Sequence, residues 1–128
     1  EAWHAGRSCY GGRANLNRYS IGIELDNLGR LQLQEGRFVA ECGVEHVSLL
    51  KAAHHGSRYS TSSDFLQSIR PRAAVISCAA KNSYGHPHSE TLERLDVSGT
   101  KVYRVDESGA VTAWIDEKSG VMGMYGWR

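Results

Sequence analysis

An α/β fold is predicted for this 128-residue chain by three observations. Two nearly continuous apolar runs, His46–Ala53 and Ala73–Cys78, have the character of strands buried on both faces. Each is followed by a loop and then by a segment carrying helix-start signals. Two further strand-like segments, Lys101–Val105 and Ala110–Ile115, close the pattern as βαβαββ. Strands alternating with helices call for a parallel sheet, here with an N-terminal strand or hairpin added.

Residues 1–19 are rich in Gly, Arg and Asn and show no periodicity, so they are expected to be mostly loop. In Tyr19–Leu25, Ile21, Ile23 and Leu25 alternate as on one face of a strand. Asn27-Leu28-Gly29 signals a turn, Leu31–Gln34 alternates again, and Glu35-Gly36-Arg37 reads as a hairpin turn into Phe38-Val39-Ala40. Thr61-Ser62-Ser63-Asp64 matches a capping box ahead of a helix that Pro71 must end. Ser89 is the expected N-cap of the second helix, with Glu90 and Glu93 facing its positive end. Glu90 and Arg94 are spaced for an i,i+4 pair, Leu92 and Leu95 give the inner face, and Gly99 fits the C′ position. Asp106–Gly109 reads as a turn, and the last dozen residues, with three glycines, as a poorly ordered tail. The expected organisation is 1–45 as N-terminal segment and junction, 46–116 as the α/β unit and 117–128 as tail.

At a net charge of +1, with Lys and Arg spread along the chain, no basic stripe of a protein held mainly by phosphates is present, and a nuclease module this neutral would need a metal to supply the positive charge. Three cysteines without a CxxC pair argue against a disulfide framework or a cysteine zinc site. Cys78 is expected as a small buried residue. No apolar run reaches the roughly 18 residues of a membrane span. The chain opens on Glu1, which suggests a fragment or a processed product.

Four of the six histidines fall in two compact clusters, His54-His55 before Gly56-Ser57, and His86-Pro87-His88. Neutral imidazole is the commonest ligand of divalent metals and an acid or base near neutrality. Gly56 and Ser57 let backbone amides approach an anion. The bland alternative is that these histidines only cap helix starts and bond to backbone. A metal site needs three or four ligands, and no acidic ligand is evident.

Residues 47–116 resemble the last part of a metallo-β-lactamase-fold module, in particular that of ComEC-type competence (DNA-uptake) proteins. The likeness is carried by LLKAAHHGSRYSTSSDFL, IRPRAAVIS, NSYGHPHSETLERL and VYRVDESGAVT. It implies a bacterial, metal-dependent phosphodiesterase or nuclease, a divalent metal (zinc or manganese), nucleic acid as partner and a membrane-anchored parent. It also implies His86 as metal ligand, with His88 as a second, His54 and His55 as proton donor and phosphate-binding group, and Ser57 assisting at the substrate. The family's HxHxDH motif does not occur in residues 1–45, so the resemblance implies a fragment inactive on its own.

Residues 2–31 resemble AmpD-type N-acetylmuramoyl-L-alanine amidases, through Ala2-Trp3-His4-Ala5-Gly6 and Asn17–Glu24. That likeness implies Glu24 as catalytic glutamate and Trp3 and His4 as substrate-groove residues, with zinc ligands that find no match here. Two family fragments in one chain suggest a chimera. A peptidoglycan amidase fragment and a non-catalytic folded chimera, stabilised by self-association, are therefore the alternative functional readings.

Overall fold

The computed structural model describes residues 9–10, 13–14, 35–36, 39–41, 43, 45–116, 118–119 and 121–127. In chain order its elements are β1 (Cys9–Tyr10), β2 (Arg13–Ala14), β3 (Leu49–Lys51), α1 (Ser63–Ile69), β4 (Ala73–Ile76), α2 (Ser89–Val97), β5 (Lys101–Arg104), α3 (Val105–Ser108), β6 (Val111–Ile115) and β7 (Met122–Gly126). The fold is mixed α/β, as the sequence predicts. β1 and β2 form a small antiparallel pair. The expected strand Tyr19–Leu25 and the segment Leu31–Gln34 lie outside the described residues, as do Trp3, His4 and Glu24.

The centre is a three-stranded parallel sheet in the order β3-β4-β5. Leu49 stands opposite Ala73, and Ala73 opposite Lys101. On one face of β4, Ala74 and Ile76 join Leu66 of α1 and Leu95 of α2 in the core, together with Ala52. The period-2 alternation of a strand and the turn spacing of a helix place these side chains face to face. Leu92 packs partly buried against this core, as its inner-face spacing predicts.

Helix α1 starts one residue later than expected. Its N-cap is Ser62, whose hydroxyl accepts from Phe65 N at 3.3 Å. The amides just ahead of the helix are taken by a residue distant in sequence. The fully buried carboxylate of Glu35 accepts from Thr61 N and, at 2.9 Å, from Ser62 N. Residues 35–36 and 39–41 are accordingly helical, not the expected hairpin. The carboxylate finds unpaired amides to accept from, which an exposed turn would not offer.

Helix α2 takes His88 as N-cap, with Ser89 its first helical residue in place of the expected cap. Its end follows the sequence. Gly99 has φ +71, and the bonds Gly99 N to Asp96 O (2.9 Å) and Thr100 N to Leu95 O (3.0 Å) complete a Schellman ending.

The two strand readings at the ends need correction. The run at His46–Ala53 yields only Leu49–Lys51, flanked by positive-φ residues at His46 and at His54 and His55. β6 does not extend the parallel sheet. It pairs antiparallel with β7, Ile115 opposite Met122, inside the segment expected to be a poorly ordered tail. The turn is built by Asp116, whose carboxylate accepts from Ser119 N (2.7 Å) and Lys118 N (3.1 Å). Gly123 is there for the indole of Trp114: a Cβ would stand 2.2 Å from the ring. Strand β5 likewise stops at Arg104, and 105–108 forms one helical turn where a simple turn was expected.

Removing the Glu35 carboxylate leaves one buried and one half-buried amide without their acceptor, a loss of about 1–3 kcal/mol. Glu35→Ala should lower the free energy of urea unfolding by that amount, with the midpoint falling accordingly, and Glu35→Gln by less. Equal stability of Glu35→Ala and the parent would contradict the buried contact.

Candidate functional site

Parallel strands send their following loops to one edge of the sheet. The segments after β3, β4 and β5 therefore gather at the carboxyl edge, where α/β folds place ligands. After β3 the chain makes a 3-10 turn over Ala53–Gly56, with His54 (φ 47, ψ 45) and His55 (φ 56, ψ 25) both left-handed. Each such residue costs about 1–2 kcal/mol, strain that tends to collect at functional sites.

The second loop arrives over the first. Gly56 is buried with φ +79, and a Cβ on it would lie 2.7 Å from Pro87 Cβ and 3.2 Å from Ile76 Cγ2. His88 N donates to Gly56 O (3.0 Å), and Arg58 N donates to His88 Nδ1 (3.2 Å). Asn82 holds the peptide of His86 from both sides: its Oδ1 accepts from His86 N (2.8 Å) and its Nδ2 donates to His86 O (2.6 Å).

The result is a cluster of four imidazoles. Ring centres are 5.4 Å apart for His54–His86, 6.4 Å for His54–His55, 6.2 Å for His55–His86 and 4.9 Å for His86–His88. Tyr84 stacks on His86 at 5.8 Å. His54 and His55 are exposed, and His86 and His88 half-buried. Burial first, and then His88, His54 and His55, hold His86 below the ordinary imidazole pKa. Ser57 is buried, its hydroxyl facing Tyr59 N at 3.4 Å.

His55 donates from Nδ1 to Ser77 O at 2.6 Å. The next residue, half-buried Cys78, has its thiol pushed up by burial and by its hydrogen bond to Asp106. Asp106 is held low, above all by Arg104, whose Nε and Nη2 meet its two oxygens at 3.1 and 2.5 Å. Sequence spacing gave no sign of this group, since it assigned Asp106 only to a turn. A second residue it misjudged is Arg94. Glu90 is paired with Arg58 instead (2.9 Å). Arg94 turns inward, and its Nε and Nη2 donate to the carbonyls of Thr61 (3.0 Å), Ser60 (3.0 Å) and Arg58 (3.1 Å).

Imidazole donors suit zinc or manganese. Among the described residues, however, no group of three or more His, Cys, Asp or Glu side chains is arranged to hold a metal ion. The described residues do not make a metal centre by themselves. An open pocket of about 350 Å³, lined by Gly36, Val39 and residues at the start of α1, lies apart from the cluster, and no histidine lines it.

The site rests on the contact at Gly56. Gly56→Ala combines a left-handed φ with overpacking and should cost about 2–5 kcal/mol in denaturant unfolding, with loss of the NOE contacts between His54 and His86. A variant of parental stability would contradict the contact. A second expectation concerns pH. The folded pKa of His86 lies below the unfolded value, so the unfolded chain protonates first as pH falls. The corresponding stability is complete above about pH 6.5 and is lost as pH drops from there through the folded value. Melting temperatures of chelator-treated protein should fall with acidification, and less steeply in His86→Asn; identical slopes would refute the assignment.

Comparison with known proteins gives a consistent direction. The chain is 35% identical over 77 residues to ComE operon protein 3 of Bacillus subtilis (strain 168), covering 60% of this chain and 10% of that protein. It is 40% identical over 69 residues to Competence protein ComA of Neisseria gonorrhoeae, covering 54% and 10%. It is 37% identical over 65 residues to Recombination protein 2 of Haemophilus influenzae, covering 51% and 8%. No family model matches the chain, and no solved structure does. None of the three names is that of an amidase, so the likeness of residues 2–31 gains no support. The chain spans about a tenth of the length of these relatives, and over about half of its own length it is linked to ComEC-type competence proteins.

Proposed function

We propose that residues 46–116 are the closing part of a metallo-β-lactamase-like, metal-dependent phosphodiesterase or nuclease of the DNA-uptake type. One observation carries the reading: two loops distant in sequence bring four imidazoles together at the carboxyl edge of a parallel sheet. The competence names of the relatives support the same direction. In this reading His86 would be one ligand of a divalent metal, zinc or manganese, for which the described residues supply no complete ligand set. When bound, that metal would supply an activated water. His54 and His55 donate a proton and bind the phosphate, and the backbone at Gly56-Ser57 approaches the anion. Nucleic acid is the proposed substrate.

The HxHxDH motif does not occur in the 128 residues. The chain alone should therefore bind metal weakly and turn over nothing. Manganese or zinc titrated calorimetrically into chelator-treated protein should show binding that weakens about tenfold or more in His86→Ala. An aryl phosphodiester and single-stranded DNA should stay intact with the isolated chain. Metal binding indifferent to His86, in a variant with the parental fold, would sink the proposal.

A further inference from the structure

The hydrogen bonds around the cluster fix proton positions that the sequence cannot show. Ser77 O can only accept, so His55 carries its proton on Nδ1 and leaves Nε2 with a lone pair. Arg58 N–H can only donate, so Nδ1 of His88 holds the lone pair and the neutral ring carries its proton on Nε2. Two histidines of one cluster are thus set in opposite tautomers, each by a backbone group that permits no alternative. In the neutral rings the Nε2 of His55 accepts, so it donates to a phosphate only as an imidazolium, whereas the Nε2–H of His88 offers an oxyanion a donor directly.

What holds the Arg58 amide in place is α2. That N–H shares its peptide unit with the Ser57 carbonyl; the carbonyl of the next peptide, Arg58 O, accepts from Arg94 Nη2 at 3.1 Å, while the same guanidinium binds the Ser60 and Thr61 carbonyls. Thr91, fully buried, donates from Oγ1 to Ser57 O at 2.9 Å and accepts from Arg94 Nη2 at 3.0 Å. Four of the five carbonyls from Ser57 to Thr61 are therefore bonded to two side chains one helical turn apart. A planar fork with fixed donors does this in a way a lysine cannot.

We propose that Arg94 is a positioning residue: by holding Thr91 Oγ1 and the peptide that follows Arg58, it fixes the Ser57–Arg58 peptide and so locks His88 as an Nε2–H donor facing an oxyanion, in opposition to His55. This replaces the metal-ligand role that the resemblance implies for His88. The oxyanion part rests on the phosphodiesterase reading; the positioning part does not.

The test reads the imidazole nitrogens by long-range nitrogen–proton NMR, in chelator-treated protein at neutral to mildly alkaline pH, together with amide exchange. In the parent, His55 should carry Nδ1–H, His88 should carry Nε2–H with a hydrogen-bonded Nδ1, and the Arg58 amide should be protected. In Arg94→Met the Arg58 amide should exchange at least about tenfold faster, and the His88 Nδ1 signal should move towards that of a solvated imidazole. His55 should stay unchanged, and Arg94→Lys should fall between. Arg94→Lys also serves where Arg94→Met does not fold. An Nδ1–H on His88 in the parent, or unchanged Arg58 and His88 signals in a folded Arg94 variant, would overturn the proposal. No metal or substrate is present, so failure of the phosphodiesterase reading would leave this result standing. Adding inorganic phosphate then tests the oxyanion part: a selective shift of the His88 Nε2 signal supports it, and none refutes it.

Discussion

The approach of Pro87 to Gly56 is the constraint on which the rest of the site depends. With Pro87 Cβ only 2.7 Å from where a Cβ on Gly56 would sit, any other residue forces the two histidine loops apart. The same glycine needs φ +79, which L side chains rarely adopt. Its carbonyl receives His88 N, so the contact is directional as well as steric. Once the loops meet here, His86 has no option but to lie beside His54 and His55. The crowding then depresses its affinity for a proton, because burial and neighbouring imidazoles both disfavour the charged ring.

Helix α2 is what makes this arrangement rigid. The loop is tied internally by Ser57 N to His54 O (2.9 Å) and Ser60 Oγ to Ala53 O (2.9 Å). Its carbonyls after Gly56 are also bound by Thr91 and Arg94, two side chains on one face of α2. Buried carbonyls with partners cost little, and without them each would be a liability. The exposed pair of Arg58 and Glu90 contributes little by comparison, since solvent screens an ion pair at the surface. Stability and site geometry therefore share the same residues.

Four imidazoles converge, yet the described residues hold no metal-binding group. The relatives named for competence are about ten times longer than the segment they share with this chain. Within this segment two histidines are held differently by backbone groups: Nδ1 of His55 faces a carbonyl and Nδ1 of His88 an amide.

The sequence by itself determined the class of the fold and showed which histidines lie close together in the chain. Continuous apolar runs at 46–53 and 73–78, Pro71 and Gly99 are local signals, and β3, β4, the end of α1 and the Schellman ending of α2 follow from them. The two histidine clusters were visible for the same reason, as residue types close together in the chain. Tertiary structure alone decided the rest, because the partners are distant in sequence. Glu35 caps a helix that starts 28 residues later, Arg94 abandons Glu90 for carbonyls more than 30 residues away, and Met122–Gly126 becomes a strand only by pairing with β6. Local spacing fixes which groups an element offers, and only packing decides which of them find each other.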